Sequence, residues 1–206
     1  MNEKTIRSQR VFDGKLLQLA VLEVELADGR RARREIVRHR GAIAVWALAP
    51  DGRFVFVRQF RKAIERELLE VVAGTRDADE TAEECARREI QEETGYAVKA
   101  LAPLGAIFTA PGFCSEQIDI FYAELAPGGP ARHSLGDGGV IKPDPDEQLE
   151  VVLLDETEWK TMMARGAIQD AKTWAAWGLF ETRRQTTDSG AEKQTSNAQH
   201  STSNVE

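Results

Sequence analysis

The segment from Gly74 to Tyr96, GTRDADETAEECARREIQEETGY, constrains this chain more than any other, because it places eight carboxylates between two glycines. So acidic a run must either spread its charges over solvent or gather them round a cation. Local signals favour a single helix over roughly Thr81 to Thr94. Thr81 followed three residues later by Glu84 is a capping-box spacing, and Gly95 stands where a helix ends in a left-handed residue. Ala82, Cys85, Ala86 and Ile90 supply a narrow apolar stripe, enough to seat the helix on a sheet.

Strands surround that helix. Asp28-Gly29 and Asp51-Gly52 each lie between β-rich segments, the signature of a tight hairpin. The first forty residues read as a small meander, and AIAVWALA and RFVFVRQF read as strands buried on both faces. After the helix, KALAPLGAIF and QIDIFYAEL are expected as strands flanking the loop TAPGFCSE, and LEVVLL as a later one. Two helical segments follow, ETEWKTMMARG and DAKTWAAWGLFETRR, the second with Trp174, Trp177 and Phe180 on one apolar face. The Gly/Pro-rich stretch APGGPARHSLGDGGVIKPDPDEQ is a long connection of the kind that is functional or disordered. From Gln185 onward the chain turns polar and is expected to be a disordered tail. The organisation predicted is an N-terminal β-strand region over 1–40, a main domain over 41–184 and a tail over 185–206.

The chain has 206 residues, 42% of them hydrophobic and 30% charged, and a net charge of −7. That charge argues against a general nucleic-acid coat. The apolar runs are too short to span a bilayer, and MNEKTIRSQR lacks the apolar core of a secretory signal, so the expected location is the cytoplasm with no membrane partner. Two cysteines, Cys85 and Cys114, form no metal-type or redox-type pair. Basic residues cluster in GRRARREIVRHR, Arg30 to Arg40, which fits a strand edge or solvated face, with a phosphate-contacting role as the alternative.

Helical geometry puts Glu89 and Glu93 one turn apart on a common face, with Glu92 on an adjacent edge. Three such charges repel unless a cation sits among them. Hard divalent cations take oxygen ligands from a few carboxylates and complete their shell with substrate phosphate. Arg88, beside Glu89, can orient a carboxylate or meet phosphate directly. A solvated helix laced by Arg87/Gln91 and Glu84/Arg88 pairs is the plainer reading of the same spacing.

The whole pattern resembles the Nudix box, Gly-x5-Glu-x7-Arg-Glu-U-x-Glu-Glu-x-Gly-U with U a bulky aliphatic. Gly74, Glu80, Arg88, Glu89, Ile90, Glu92, Glu93 and Gly95 fall in register, and only Tyr96 departs, where an aliphatic is usual. The resemblance implies an α/β/α sandwich with a mixed sheet, here preceded by a small antiparallel β-sheet region. It also implies hydrolysis of a nucleoside diphosphate linked to another group. By the same resemblance, Mg²⁺ (or Mn²⁺) would be held by Glu89 and Glu93 with help from Glu92 and the carbonyl of Ala73. Arg88 resembles the arginine that holds a catalytic glutamate in place, and Glu80 resembles a mainly structural one.

VRQFRKA, ELLEVVAG, TAPGF with Pro111, PGFCSE, DEQLEV and GAIQDAKT together resemble the ADP-ribose pyrophosphatase-like subgroup. That resemblance implies substrate contacts from Arg61, Glu116 and Arg33, and a homodimer whose N-terminal strands exchange, with Arg33 reaching across. Plainer roles are a surface ion pair for Arg61 and a loop cap for Glu116. Val72 stands where a proline is usual. Where the subgroup carries its base, Pro145 stands, so Asp144, Asp146 or Glu147, or else Glu92 or Glu116, must accept the proton; the expected base is Glu147, whose longer side chain reaches furthest. The expected reaction converts ADP-ribose to AMP and ribose 5-phosphate. GDP-mannose, NADH or a dinucleoside polyphosphate are the rival substrates, and a non-catalytic nucleotide-sugar sensor is the rival of another class.

Overall fold

The computed structural model describes residues 2–128 and 149–201, with side chains through 187. Two sheets are present. Strands β1 (Lys4–Asp13), β2 (Gln18–Glu25) and β3 (Arg31–Arg38) form an antiparallel meander in that order. The basic cluster lies largely on β3, which is an edge strand, as its alternation predicted. Arg31 meets Glu23 at 2.9 Å across the β2–β3 pair.

The larger sheet contains β4 (Ala42–Leu48), β5 (Phe54–Arg61), β6 (Arg66–Glu70), β7 (Val72–Thr75), β8 (Val98–Phe108), β9 (Gln117–Leu125) and β10 (Leu149–Leu154). Its main path runs β10-β5-β4-β9-β8, with β6 added to β5 and β7 to β4. β4 and β9 are parallel and the other pairs antiparallel, so the sheet is mixed. β4 lies in the middle and reads as a continuous apolar run because both of its faces are covered. Ile43, Val45 and Ala47 face helix α1 (Ala82–Thr94) and pack with Cys85, Ala86 and Ile90. Ala44 and Trp46 face the opposite layer, formed by α2 (Glu156–Ala164) and α3 (Ala171–Ser201). The result is the α/β/α sandwich, with the meander beside it.

An aromatic cluster fastens the second layer. Trp46, 1% exposed, meets Phe56 and Trp159 edge to face with ring centroids 5.7 and 5.2 Å apart. Phe180 of α3 stacks on Tyr122 at 5.1 Å. Burying each large apolar side chain contributes about 1.5–3 kcal/mol, and edge-to-face pairs add about 0.5–1.5 kcal/mol. Trp177 and Phe180 therefore belong to the core side of α3, whereas Trp174 remains 40% exposed.

Helix α1 begins as its sequence dictates. Thr81 Oγ1 accepts from the Glu84 amide, and the Glu84 carboxylate accepts from the Thr81 amide at 2.9 Å. Gly95 closes it with φ +72°, its amide donating to the Gln91 carbonyl. The buried stripe is Cys85, Ala86 and Ile90, with Glu93 and Thr94 also buried. Helix α3 departs from expectation. It runs on past Arg184, where a disordered tail was predicted, through Ser201. No proline interrupts this polar tract; the hydroxyls of Thr182, Thr186 and Thr187 bond back to carbonyls of the preceding turn, which satisfies them without favouring the helix.

Candidate functional site

Strand β7 leads from the sheet centre into the loop before α1, and the two elements enclose a cleft of about 570 Å³. Ala73, Gly74 and Thr75 form one wall, and Arg88, Glu89, Glu92 and Glu93 of α1 another. The carboxylates differ sharply in exposure. Glu93 is only 5% exposed, and the side chains of Glu89 and Glu92 are 13% and 37% exposed.

Glu89 lies directly against the backbone of Gly74. A Cβ at position 74 would stand 1.9 Å from Glu89 Cδ, so only glycine lets the carboxylate occupy this place. Arg88 then binds the acidic groups together. Its Nε and Nη2 donate to the two oxygens of Glu80 at 2.8 and 2.9 Å, while Nη1 donates to Glu89 at 2.8 Å and to Glu92 at 2.9 Å. Hydrogen bonds from Arg88 hold the Glu80 carboxyl down at about 2. The same pairing raises the Arg88 guanidinium further above its ordinary value. Glu80 also accepts from the Asp77 amide, which ties the loop to the helix. Burial, with the Glu80 charge nearby, pushes the Cys85 thiol up to about 12, so it serves as small helix packing rather than as a nucleophile.

Cations face these carboxylates. Lys15 from the β1–β2 turn, Arg40 before β4, Arg61 at the end of β5 and Arg76 after β7 all line the same cleft. Such a two-signed cleft suits a polyanion bound together with a cation. For the cation, the carboxylates offer an oxygen-only donor set of the kind that hard divalent ions take, and the glycine-cradled Glu89 beside buried Glu93 fits that role. Among the described residues no three His, Cys, Asp or Glu side chains close into a ready-made cage; Arg88 Nη1 sits between Glu89 and Glu92 instead.

The NUDIX domain family model matches residues 37–176, two thirds of the chain. The chain belongs to the Nudix hydrolase family. It is 38% identical over 173 residues to an ADP-ribose pyrophosphatase of Bacillus subtilis, covering 84% of this chain and 89% of that one. It is 35% identical to a methanol dehydrogenase activator of Bacillus methanolicus, covering 83% and 88%. It is also 35% identical to a GDP-mannose pyrophosphatase of Klebsiella pneumoniae, covering 76% and 80%. A crystal structure of an ADP compounds hydrolase shares the fold with a TM-score of 0.73 at 22% identity, over 92% of this chain and 97% of that one.

Within this Nudix chain, Tyr96, at the place where the box usually has an aliphatic, is buried at 6% exposure in the cluster beneath α1. Ala73, Arg88, Glu89, Glu92, Glu93 and Arg61 come together in the cleft. Two residues anticipated as substrate contacts do not join them. Arg33 is exposed on β3 beside Arg7, Gln9 and Arg31, away from the cleft. Glu116 closes the loop after β8, accepting from Thr109 Oγ1 at 2.8 Å and standing 3.5 Å from His39 Nδ1. Asp144, Asp146 and Glu147 lie outside the described residues. Sequence reasoning missed Lys15 and Arg76 in the cleft, and it missed Glu70, the 1% exposed partner of Arg61. For Glu70 the only signal was a charge set between apolar pairs in LLEVV.

Proposed function

We propose that this Nudix enzyme hydrolyses the diphosphate of ADP-ribose to AMP and ribose 5-phosphate with Mg²⁺. The observation that carries the reading is the cleft itself, where a ring of cations faces Glu89, Glu92 and Glu93. Its 38% identity to an ADP-ribose pyrophosphatase supports the choice of substrate. Glu89 and Glu93, with Glu92 and the Ala73 carbonyl, would hold the metal. An ion held there would neutralise charge building on the phosphates and lower the pKa of a water.

The chain's own groups do the rest. Arg88 keeps Glu89 in place through the 2.8 Å bond, and Arg61 receives the diphosphate. Glu147 takes the proton of the attacking water, with Asp146 or Glu92 the alternative acceptors. Water oxygen bonds to one phosphorus as the bridging P–O bond breaks, and two phosphate monoesters leave. The complete carboxylate set and its common cleft favour catalysis over a sensor role.

The test is a panel of ADP-ribose, GDP-mannose, NADH and nucleoside triphosphates with Mg²⁺, followed by monoester release. ADP-ribose should be turned over fastest; equal rates across the panel, or none, would remove the assignment. In the same assay Glu147→Gln should lose about 10²-fold or more, as removal of a general base does. A loss below about tenfold would pass the role to Asp146 or Glu92.

The same proposal includes a cytoplasmic homodimer joined through the N-terminal meander. Every residue of β1 is exposed, including Ile6, Val11 and Phe12 at 42%, 57% and 54%. Sedimentation should return twice the 22.9 kDa chain mass. A monomer at micromolar concentration would exclude the assembly. Among the described residues, no helix is long and apolar enough to cross a membrane.

A further inference from the structure

Arg61 lines the cleft with a side chain 39% exposed, yet its guanidinium is firmly placed. Its Nε and Nη2 donate to the two oxygens of Glu70 at 2.7 and 2.6 Å. The β5–β6 register explains the reach. Glu70 lies opposite Val57, so it shares a sheet face with Arg61 four residues along β5.

Glu70 is 1% exposed and carries a second cation, Lys172, whose Nζ also donates to it. Lys172 in turn donates to Asp170 Oδ1 at 2.8 Å. The other oxygen of Asp170 accepts from the amide and hydroxyl of Thr173 at 2.9 and 2.6 Å. Thr173 Oγ1, fully buried, accepts from the Val71 amide at 3.0 Å, just before the strand that carries Ala73 and Gly74. The first turn of α3 is thus fastened to the base of the cleft.

Stability gives a weak account of this arrangement. A lysine in the first turn of a helix stands at the positive end of its dipole. A buried ion pair is often no more stabilising than an apolar replacement of the same volume. Placement gives a better one. Two carboxylates and two cations balance, so Glu70 can grip the Arg61 fork without surplus negative charge beside the site where phosphates bind. Removing Lys172 would leave Glu70 and Asp170 together against Arg61 alone. Nη1 of Arg61 is the corner of the fork not taken by Glu70, and the Glu93 charge acts on this guanidinium from the facing helix.

We propose that Glu70, Lys172 and Asp170 are positioning residues that fix Arg61 as a diphosphate-binding fork, coupling the start of α3 to substrate affinity. The proposal rests on the reading that the cleft holds a nucleoside diphosphate. It is tested by kinetics on ADP-ribose and by calorimetric binding of its α,β-methylene analogue. Lys172→Met should raise KM and weaken analogue binding by about tenfold or more, with kcat changed much less, the pattern of lost ground-state binding. Lys172→Arg should recover most of the affinity, because the cation is kept. In an Arg61→Ala background, Lys172→Met should add less than about twofold, because positioning acts only through the fork. An undiminished tenfold loss in that background would overturn the proposal, as would a wild-type KM in Lys172→Met. Both outcomes leave the Nudix reading standing, whereas a wild-type protein that neither hydrolyses ADP-ribose nor binds the analogue would remove both. Should Lys172→Met fail to fold, Lys172→Gln, which removes the same charge but keeps a donor, carries the same comparison.

Discussion

Glu93→Gln is expected to lower ADP-ribose turnover by roughly 10³-fold, since a metal-held transition state gains several kcal/mol and each 1.36 kcal/mol is tenfold in rate. The substitution isolates charge from shape. Glu93 is 5% exposed on the inner side of α1, and glutamine fills the same volume, so packing against the sheet is preserved. The amide keeps one oxygen but loses the negative charge that a hard cation requires. kcat should therefore fall by far more than any loss of stability accounts for, because the side-chain volume is kept and only the charge is lost. Unchanged turnover would end the metal-site reading. A parallel fall in melting temperature and activity would instead make Glu93 a structural residue.

Gly74→Ala attacks the same site from the sheet side. The new Cβ would lie 1.9 Å from Glu89 Cδ and 2.0 Å from its Oε1, well inside any tolerable contact. Either the carboxylate swings away or β7 shifts against β4, where Gly74 pairs with Ile43. A displacement of about 1 Å at a reacting centre costs on the order of 10²-fold, and overpacking costs about 1–3 kcal/mol of stability. The expected result is a folded, less stable protein with turnover down at least ~10²-fold. Raising the metal concentration should recover part of the loss if the displaced Glu89 is a ligand. Near-normal kinetics would show that the close approach of Gly74 and Glu89 has no bearing on catalysis.

What could be read from the residues was whatever local chemistry encodes. The Thr81–Glu84 box and Gly95 fixed the ends of α1 to within a residue, and the β-branched runs of β4 and β5 marked the buried sheet. Strands β6 and β7 were not anticipated, because ELLEVVAG has neither the alternation of a half-buried strand nor the length of a central one. The cleft carboxylates Glu89, Glu92 and Glu93 were legible because they sit on one helix at fixed spacing. Of the cationic side only Arg61, through the subgroup resemblance, and Arg40, within the basic cluster, were anticipated; Lys15 and Arg76 arrive from separate loops with no local signal. The pairing of Lys172 with Glu70 joins residues 102 positions apart, and nothing in a single sequence marks such a meeting. Helix α3 was underestimated because its continuation past Arg184 is polar and includes Gly190, and neither feature marks a helix.

The pairing of β4 carries one more consequence. Its residues Ala47 and Leu48 pair with β5, whereas Ala42 to Val45 pair along the same edge with β7, as β5 departs to meet β6. The sheet therefore forks, and among the described strands β7 is paired on one side only. Unpaired strand edges at a protein's rim invite other chains to add to them. This one borders the cleft, whose wall Ala73, Gly74 and Thr75 form. The fork thus sets an incompletely paired strand along the cleft instead of at the outer rim of the sheet.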